Sequence, residues 1–283
     1  MKAKGNGNGN GSASRADREA AEAITALLDA HGGKLYGLGL KICGSHEEAE
    51  DLVQETFLNA FRKWHQFEGR SDPATWLYTI AVRVCRRRHR RRAGQPRYLE
   101  PLVRLLPSGE EGVVDLPAPE EGPLDEQLRE EAREAVEDAL THLPMTYRMP
   151  LVLKDIAEFS TAEVAQVMGL QEGTVKTRVH RARMALRKEL AAELPRRAAG
   201  PATHARHLCL DLLQAKQEAL DRGVEFPMPQ SELCERCQAL FRTLDLTQDA
   251  CRYIGEGQLP AQLRSKLVAR MKAREGSGAE LPA

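Results

Sequence analysis

Aromatic residues are scarce in this chain, at 5% of its 283 residues, and no apolar run approaches the ~18 residues that a membrane-spanning helix needs. A chain built into a membrane is excluded. The opening stretch, MKAKGNGNGNGSAS, has no apolar core of the kind a secretory leader carries, so the expected location is cytoplasmic, with no membrane partner. That Gly/Asn tract also has nothing to bury, and residues 1–13 are expected to be a disordered tail. Alternation of apolar and polar residues is missing throughout, which excludes a sheet-based core and leaves an all-α fold. Net charge is absent as well. Lys plus Arg equal Asp plus Glu at 41 each, so the whole-chain balance selects no partner. Six cysteines in a reducing compartment argue against a disulfide framework. Of these, Cys43 and Cys85 stand alone and read as small core residues.

What the chain has is charge segregation and one strong motif. Arg83 to Arg97 contains CRRRHRRRAGQPR with no acid, whereas Glu110, Glu111, Asp115, Glu120, Glu121 and Asp125 crowd a Pro/Gly-rich stretch. The first is a candidate polyanion-binding segment and the second a flexible acidic linker. The motif is FSTAEVAQVMGLQEGTVKTRVHRARMALRKEL, from Phe159 to Leu190. Ser160 with Glu163 forms a capping box, Val164, Val167 and Met168 give an apolar face, and Gly169 ends the helix. Ala165 is small enough for a close helix crossing that Val175 plugs from the second helix. This spacing is a helix-turn-helix signature. The second helix carries Lys176, Arg178, Arg181, Arg183, Arg187 and Lys188, as expected of a helix lying in a phosphate-lined groove.

Nearer the N-terminus, Ser45 and Glu48 make another capping box. The helix behind it, EEAEDLVQETFLNAFRKW, places Val53, Phe57, Phe61 and Trp64 on one core stripe. Its other face shows Asp51, Gln54 and Glu55, which suits either a solvated face or an acidic docking surface. A polar loop, FEGRSDPATW, leads into an amphipathic helix through Trp76, Leu77, Ile80, Ala81 and Val84 that runs into the Arg cluster. Aromatics, a polar loop and a basic helix end suit melted DNA, because bases can enter a pocket while arginines hold the backbone. Core aromatics with an incidental basic tail are the alternative.

Together these segments resemble an extracytoplasmic-function sigma factor of the sigma-70 family, the smallest type of bacterial RNA polymerase specificity subunit. EEAEDLVQETFLNAFRKWHQFEGRSDPATWLYTIAV is similar to its region 2, and LTHLPMTYRMPLVLKDIAEFSTAEVAQVMGLQEGTVKTRVHRARMALRK to its region 4. The resemblance implies sigma region 2 over 14–95, a linker over 96–127 and a region 4 helix-turn-helix over 128–194, with core RNA polymerase and promoter DNA as partners. It implies that Asp51, Gln54 and Glu55 grip the polymerase clamp helices. Phe67, Arg70, Ser71 and Trp76 belong to the loop that captures a flipped base of the minus-ten element, with Arg83, Arg87, Arg88 and Arg91 holding the flanking DNA. Lys176, Thr177, His180 and Arg181 match the positions that enter the major groove of the minus-thirty-five element. Gln171 stands where the family usually has a helix-capping Ser, and Arg83 where an Asn is common.

The remaining part, 201–275, reads as a small helical Cys-rich domain. Cys234 and Cys237 form a C-x-x-C at a helix start, where two thiolates one turn apart converge and the helix dipole favours anions. With Cys209 and Cys251 the set is either four cysteines or three cysteines with one histidine, His204 or His207. A redox dithiol and buried unliganded cysteines are the competing readings. QSELCERCQAL also resembles the His-x-x-x-Cys-x-x-Cys of zinc-binding anti-sigma domains, with Gln230 where the His would be. Sigma factors with a Cys-rich C-terminal extension resemble the CorE-like group, in which the extension senses metal in cis. That resemblance implies a bound metal ion, Zn, Cd or Cu, whose identity spacing does not fix, and leaves no need for a separate anti-sigma factor. A helix-turn-helix regulator acting without polymerase is the alternative function. An enzyme is not expected: His46-Glu47-Glu48 with Cys234-x-x-Cys237 only echoes a deaminase signature, and that His belongs to the capping segment of a helix far from the cysteines.

Overall fold

The computed structural model describes residues 15–90, 99, 112–116, 123–200, 205–254 and 257–275. The fold is all-α. Its N-terminal unit consists of α1 (Arg15–Cys43), α2 (His46–Lys63) and α3 (Pro73–Arg90). Helix α2 starts where the sequence places its cap, with Ser45 Oγ accepting from the Glu48 backbone N–H at 3.3 Å. Its apolar stripe is buried at Leu52, Val53, Phe57 and Ala60, and Phe61 and Trp64 are half-buried at the edge of the same core.

The central unit comprises α4 (Pro123–His142), α5 (Met145–Leu151), a π turn (Val152–Ile156), α6 (Thr161–Met168) and α7 (Glu172–Glu193). Helix α4 begins inside the span read as linker. Pro150 sits within α5; proline has no N–H to donate to the turn before it, and the helix widens into the π turn immediately after. The Ser160–Glu163 capping box closes in both directions, and Gly169 ends α6 at φ 64°, a left-handed conformation that glycine adopts without a Cβ penalty. Gln171 caps α7 by position only, with no side-chain bond to the helix. Ala165 and Val175 are both buried at the crossing.

A two-stranded antiparallel ribbon that sequence patterning did not anticipate joins the two sides of this unit. Strand β1 (Gly112–Val114), within the acidic linker, pairs with β2 (Arg196–Ala198). Three residues per strand are too few for a period of two to be read. The N-terminal and central units pack on each other, with Tyr78 edge-on to Phe159 at 4.8 Å. Arg86 Nη1 donates to the Met168 carbonyl at 3.1 Å and Arg148 Nη1 to the Ile42 carbonyl at 2.9 Å.

The tail forms α8 (Arg206–Arg222), α9 (Glu235–Tyr253) and α10 (Ala261–Glu275). Sequence reading makes this region poor in core of its own, and the structure gives the reason: its apolar stripes are buried against the other two units. Leu240, Phe241 and Leu244 of α9 and Leu263, Leu267 and Met271 of α10 are all buried, with α9 lying on α4 and α7 and α10 on α1 and α2. Gly257 crosses α1 so closely that a Cβ on it would lie 2.5 Å from Gly37 Cα. Arg264 adds a 2.8 Å ion pair to Asp29 of α1. No described helix is long and apolar enough to cross a membrane.

Candidate nucleic-acid interface and cysteine clusters

Helix α7 carries the four residues expected to read bases, and all four line one cleft. Lys176, Thr177, His180 and Arg181 face Leu210, Leu213, Gln214, Gln217 and Glu218 of α8 across a space of about 460 Å³. His180 Nε2 lies 2.8 Å from Asp221 Oδ2 of α8, and Gln217 Nε2 donates to the His180 carbonyl at 3.4 Å. Arg181 donates to Tyr147 Oη at 3.1 Å and to the Leu99 carbonyl at 3.2 Å. The tail therefore flanks this face and engages it at His180, while Lys176 and Thr177 remain exposed.

The wider expectation that every arginine of this helix faces phosphate is corrected. Arg183 and Arg187 are each only 2% exposed. Arg183 is forked onto Asp155 of the π turn, at 2.7 Å to each carboxylate oxygen, and also donates to Asp221 Oδ1 at 2.8 Å. Burial works against its charge, but the Asp155 carboxylate outweighs it and holds the guanidinium charged. Burial likewise opposes ionisation of Asp221, yet hydrogen bonds and charge from His180 and Arg183 keep its carboxyl below the usual range. Sequence reasoning missed this network because its partners lie far apart in the chain; its only local sign is an acid, Asp155, facing a helix of arginines.

In the N-terminal unit, Trp64, Phe67 and Trp76 form one aromatic cluster. Trp64 stacks on Phe67 at 5.1 Å, and Trp76 lies 5.8 Å from Trp64 and 5.4 Å from Phe67. All three rings remain half-exposed, and beside them Ser71 is half-buried and Arg70 is exposed and paired with Glu68. Asp72 Oδ1 accepts from the Ala74 N–H at 2.8 Å and so starts α3. An aromatic platform at a loop rim can stack an unpaired base. The acidic face of α2 is not separate from the basic cluster. Arg88 donates to Asp51 at 3.1 Å and to Glu55 at 3.2 Å, and Arg87 pairs with Glu55. Gln54 is half-buried beside them, and Arg83 is exposed. Arg91 lies outside the described residues.

The six cysteines fall into three places. Cys234 and Cys209 each lie beside Cys237, whose thiol burial and then hydrogen bonds from those two push up, but the three do not bring all their sulfurs within 4.8 Å of one another. Cys251 does not join them, which corrects the four-thiolate set. It lies in the last turns of α9, whose first turn holds Cys237, about 21 Å away at 1.5 Å per residue. There it is fully buried and near Asp155 and Arg183. His207 is exposed and two residues from Cys209 on α8, a spacing that points side chains apart. His204 lies outside the described residues. The third place corrects the reading of Cys43 and Cys85 as solitary. With His89 they form a group whose ligand atoms all lie within 4.8 Å of one another. Hydrogen bonding from Cys85, opposed by burial and aided by His89, lowers the Cys43 thiol to about 5. Cys85 and His89, one turn apart on α3, are the sequence signal that could have found it.

Residues 27–95 match the family model of sigma-70 region 2, and residues 133–186 that of sigma-70 region 4. The ECF RNA polymerase sigma factor SigW of Bacillus subtilis is 34% identical over 172 residues, spanning 60% of this chain and 89% of that protein. The RNA polymerase sigma-H factor of Pseudomonas aeruginosa is 30% identical over 178 residues, spanning 62% of this chain and 90% of that one. Among solved structures, the sigma factor RpoE in complex with the anti-sigma factor NepR from Bartonella quintana aligns with a TM-score of 0.42 and 27% identity, over 61% of this chain and 97% of that one.

Proposed function

The chain belongs to the ECF RNA polymerase sigma factors, and from that premise we propose a promoter-selecting subunit that carries its own inhibitor in the tail. Asp51, Gln54 and Glu55 dock on polymerase in the cytoplasm. The Trp64–Phe67–Trp76 cluster, with Arg70 and Ser71, takes a base of the melted minus-ten element, and Arg83, Arg87, Arg88 and Arg91 hold the strand beside it. Lys176, Thr177, His180 and Arg181 read the minus-thirty-five element. The observation that carries the inhibitor reading is that all four of these last residues line an open cleft walled on its other side by α8, and that Asp221 of α8 occupies His180 and Arg183. A carboxylate there takes hydrogen-bond donors near the helix face that would meet DNA.

The metal-sensing part of the proposal, by which the tail is a CorE-like extension, rests on Cys209, Cys234 and Cys237. Cys209 and Cys234 each lie beside Cys237, and a thiophilic ion, Zn, Cd or Cu, that drew these thiols together would cross-link the start of α8 to the start of α9. Because Asp221 lies at the other end of α8, a change in the angle between these helices would move it relative to α7. On this reading a separate anti-sigma factor is not required. Transcription from a promoter library with core polymerase tests the proposal. Specific transcripts that need core polymerase, and that rise with metal in the wild type but not in Cys234→Ser or Cys237→Ser, support it. Tight duplex binding without polymerase would instead indicate an ordinary helix-turn-helix regulator.

A further inference from the structure

We propose that Cys43, Cys85 and His89 form a second, independent binding site for a thiophilic metal ion, inside the N-terminal unit and remote from the tail cysteines. The inference stands on local geometry and does not depend on the sigma-factor reading. Cys43 is the last residue of α1, while Cys85 and His89 sit one turn apart on α3, so three soft donors from two helices converge. Their ligand atoms already lie within 4.8 Å of one another. Donors about 2.0 to 2.3 Å from a shared ion stand roughly 3.5 to 4 Å apart, so the helices need to close by only about an ångström. A second observation points to a ligand: His89 Nδ1 is buried and has no hydrogen-bond partner among the described residues. Buried ring nitrogens left unpaired are costly, and ligation through Nδ1 would satisfy this one.

Charge narrows the kind of ion. Arg148 is 3% exposed, and among the described residues its hydrogen bonds go to carbonyl oxygens only: Ile42, next to Cys43, together with Leu143 and Thr141. A buried guanidinium with no carboxylate beside it favours a nearby negative charge. Two thiolates, a neutral imidazole and a monovalent ion sum to one negative charge, which suits a place where Arg148, Arg86 and Arg88 all act on the thiols; a divalent ion leaves none. Three donors also suit a soft ion of low coordination number better than zinc, which fills four positions in structural sites. The assigned ligand is therefore a soft monovalent cation, with Cu(I) as the probe. Each thiol gives up its proton on binding, and the ion ties the end of α1 to the segment of α3 that presents Arg87 and Arg88 to the acidic face of α2.

The test uses the full chain with Cys209, Cys234 and Cys237 changed to Ser, so that the tail site cannot contribute. Cu(I) titration in the absence of air, against a competing chelator, should show one equivalent bound, with Zn(II) held more weakly. Cys43→Ser and Cys85→Ser should each lose that equivalent. His89→Gln, at a half-buried position, should keep the helical circular dichroism of the parent and weaken Cu(I) binding by about tenfold or more. The proposal is overturned if the parent binds no Cu(I), if either Cys variant binds as the parent does, or if the folded His89→Gln variant is unchanged. It is also overturned if the reduced protein takes up no ion and exposure to air merely yields a Cys43–Cys85 disulfide.

Discussion

On the proposed reading, the Asp221 carboxylate holds the inhibited arrangement. Its partners Arg183 and His180 belong to the helix expected to read DNA, and Arg183 keeps Asp155 as a second anchor whatever Asp221 does. Asp221→Asn should therefore leave the fold standing and lower stability by about 1–3 kcal/mol, the cost of a weakened buried hydrogen bond to a charged group. Core-dependent transcription should rise at the same time. A residue with only a structural role would lower both, so measuring thermal unfolding and transcript yield together separates the cases. The pH dependence has a definite sign. The folded carboxyl titrates below its ordinary 3.8, so its contribution is present above that value and lost as pH falls through the lower, folded one. Hydrogen exchange at the α7–α8 contact should accelerate only in that acidic window, and the Asn variant should show no such step. Little of this was legible in the sequence. Ser45, Ser160 and Gly169 could be assigned because their partners lie within a turn, whereas Asp155 and Asp221 meet Arg183 only through tertiary packing.

Helices α2 and α3 set an acidic face against a basic one, and the pairing has consequences for docking. Arg87 and Arg88 cover Asp51 and Glu55, but these are partly exposed pairs, worth about 0–1 kcal/mol each. A polymerase surface supplying its own cations can displace them. Asp51→Lys with Glu55→Lys should abolish core binding in a pull-down while shifting stability by no more than about 1–2 kcal/mol; unchanged core affinity would mean that these carboxylates are only a solvated face. Trp76→Ala acts at a later step. It removes one wall of the aromatic cluster, so polymerase binding should persist while permanganate reactivity of the melted promoter falls. The helices themselves were legible from period and caps. The β1–β2 ribbon was not, being three residues a side, and neither was the π turn, which follows from where Pro150 falls within a helix.

At the scale of the molecule, the packed arrangement and promoter recognition are incompatible on size alone. Elements named for positions 25 base pairs apart are roughly 85 Å apart at 3.4 Å per pair. A compact chain of this length has a radius of gyration of about 19 Å, or roughly 50 Å across. On the proposed reading the two DNA-binding units must separate, and a tail packed on both opposes this. Its hold is apolar: Leu263, Leu267 and Met271 contribute about 1.5–3 kcal/mol each when buried, against at most about 1 kcal/mol from the exposed Arg264–Asp29 pair. Leu263→Lys with Leu267→Lys should therefore detach α10 from α1 and α2 and raise transcription without metal, whereas Arg264→Ala should change it little. Deleting everything after Gly200 should have the larger effect, at the cost of solubility, because the faces of α1, α2, α4 and α7 under the tail become exposed. The point variants guard against that complication. If the Lys pair stays folded by circular dichroism and transcribes no better than wild type, α10 is not a brake; if the truncated chain is soluble and inactive with core polymerase, the tail is required for initiation and the inhibitor reading fails.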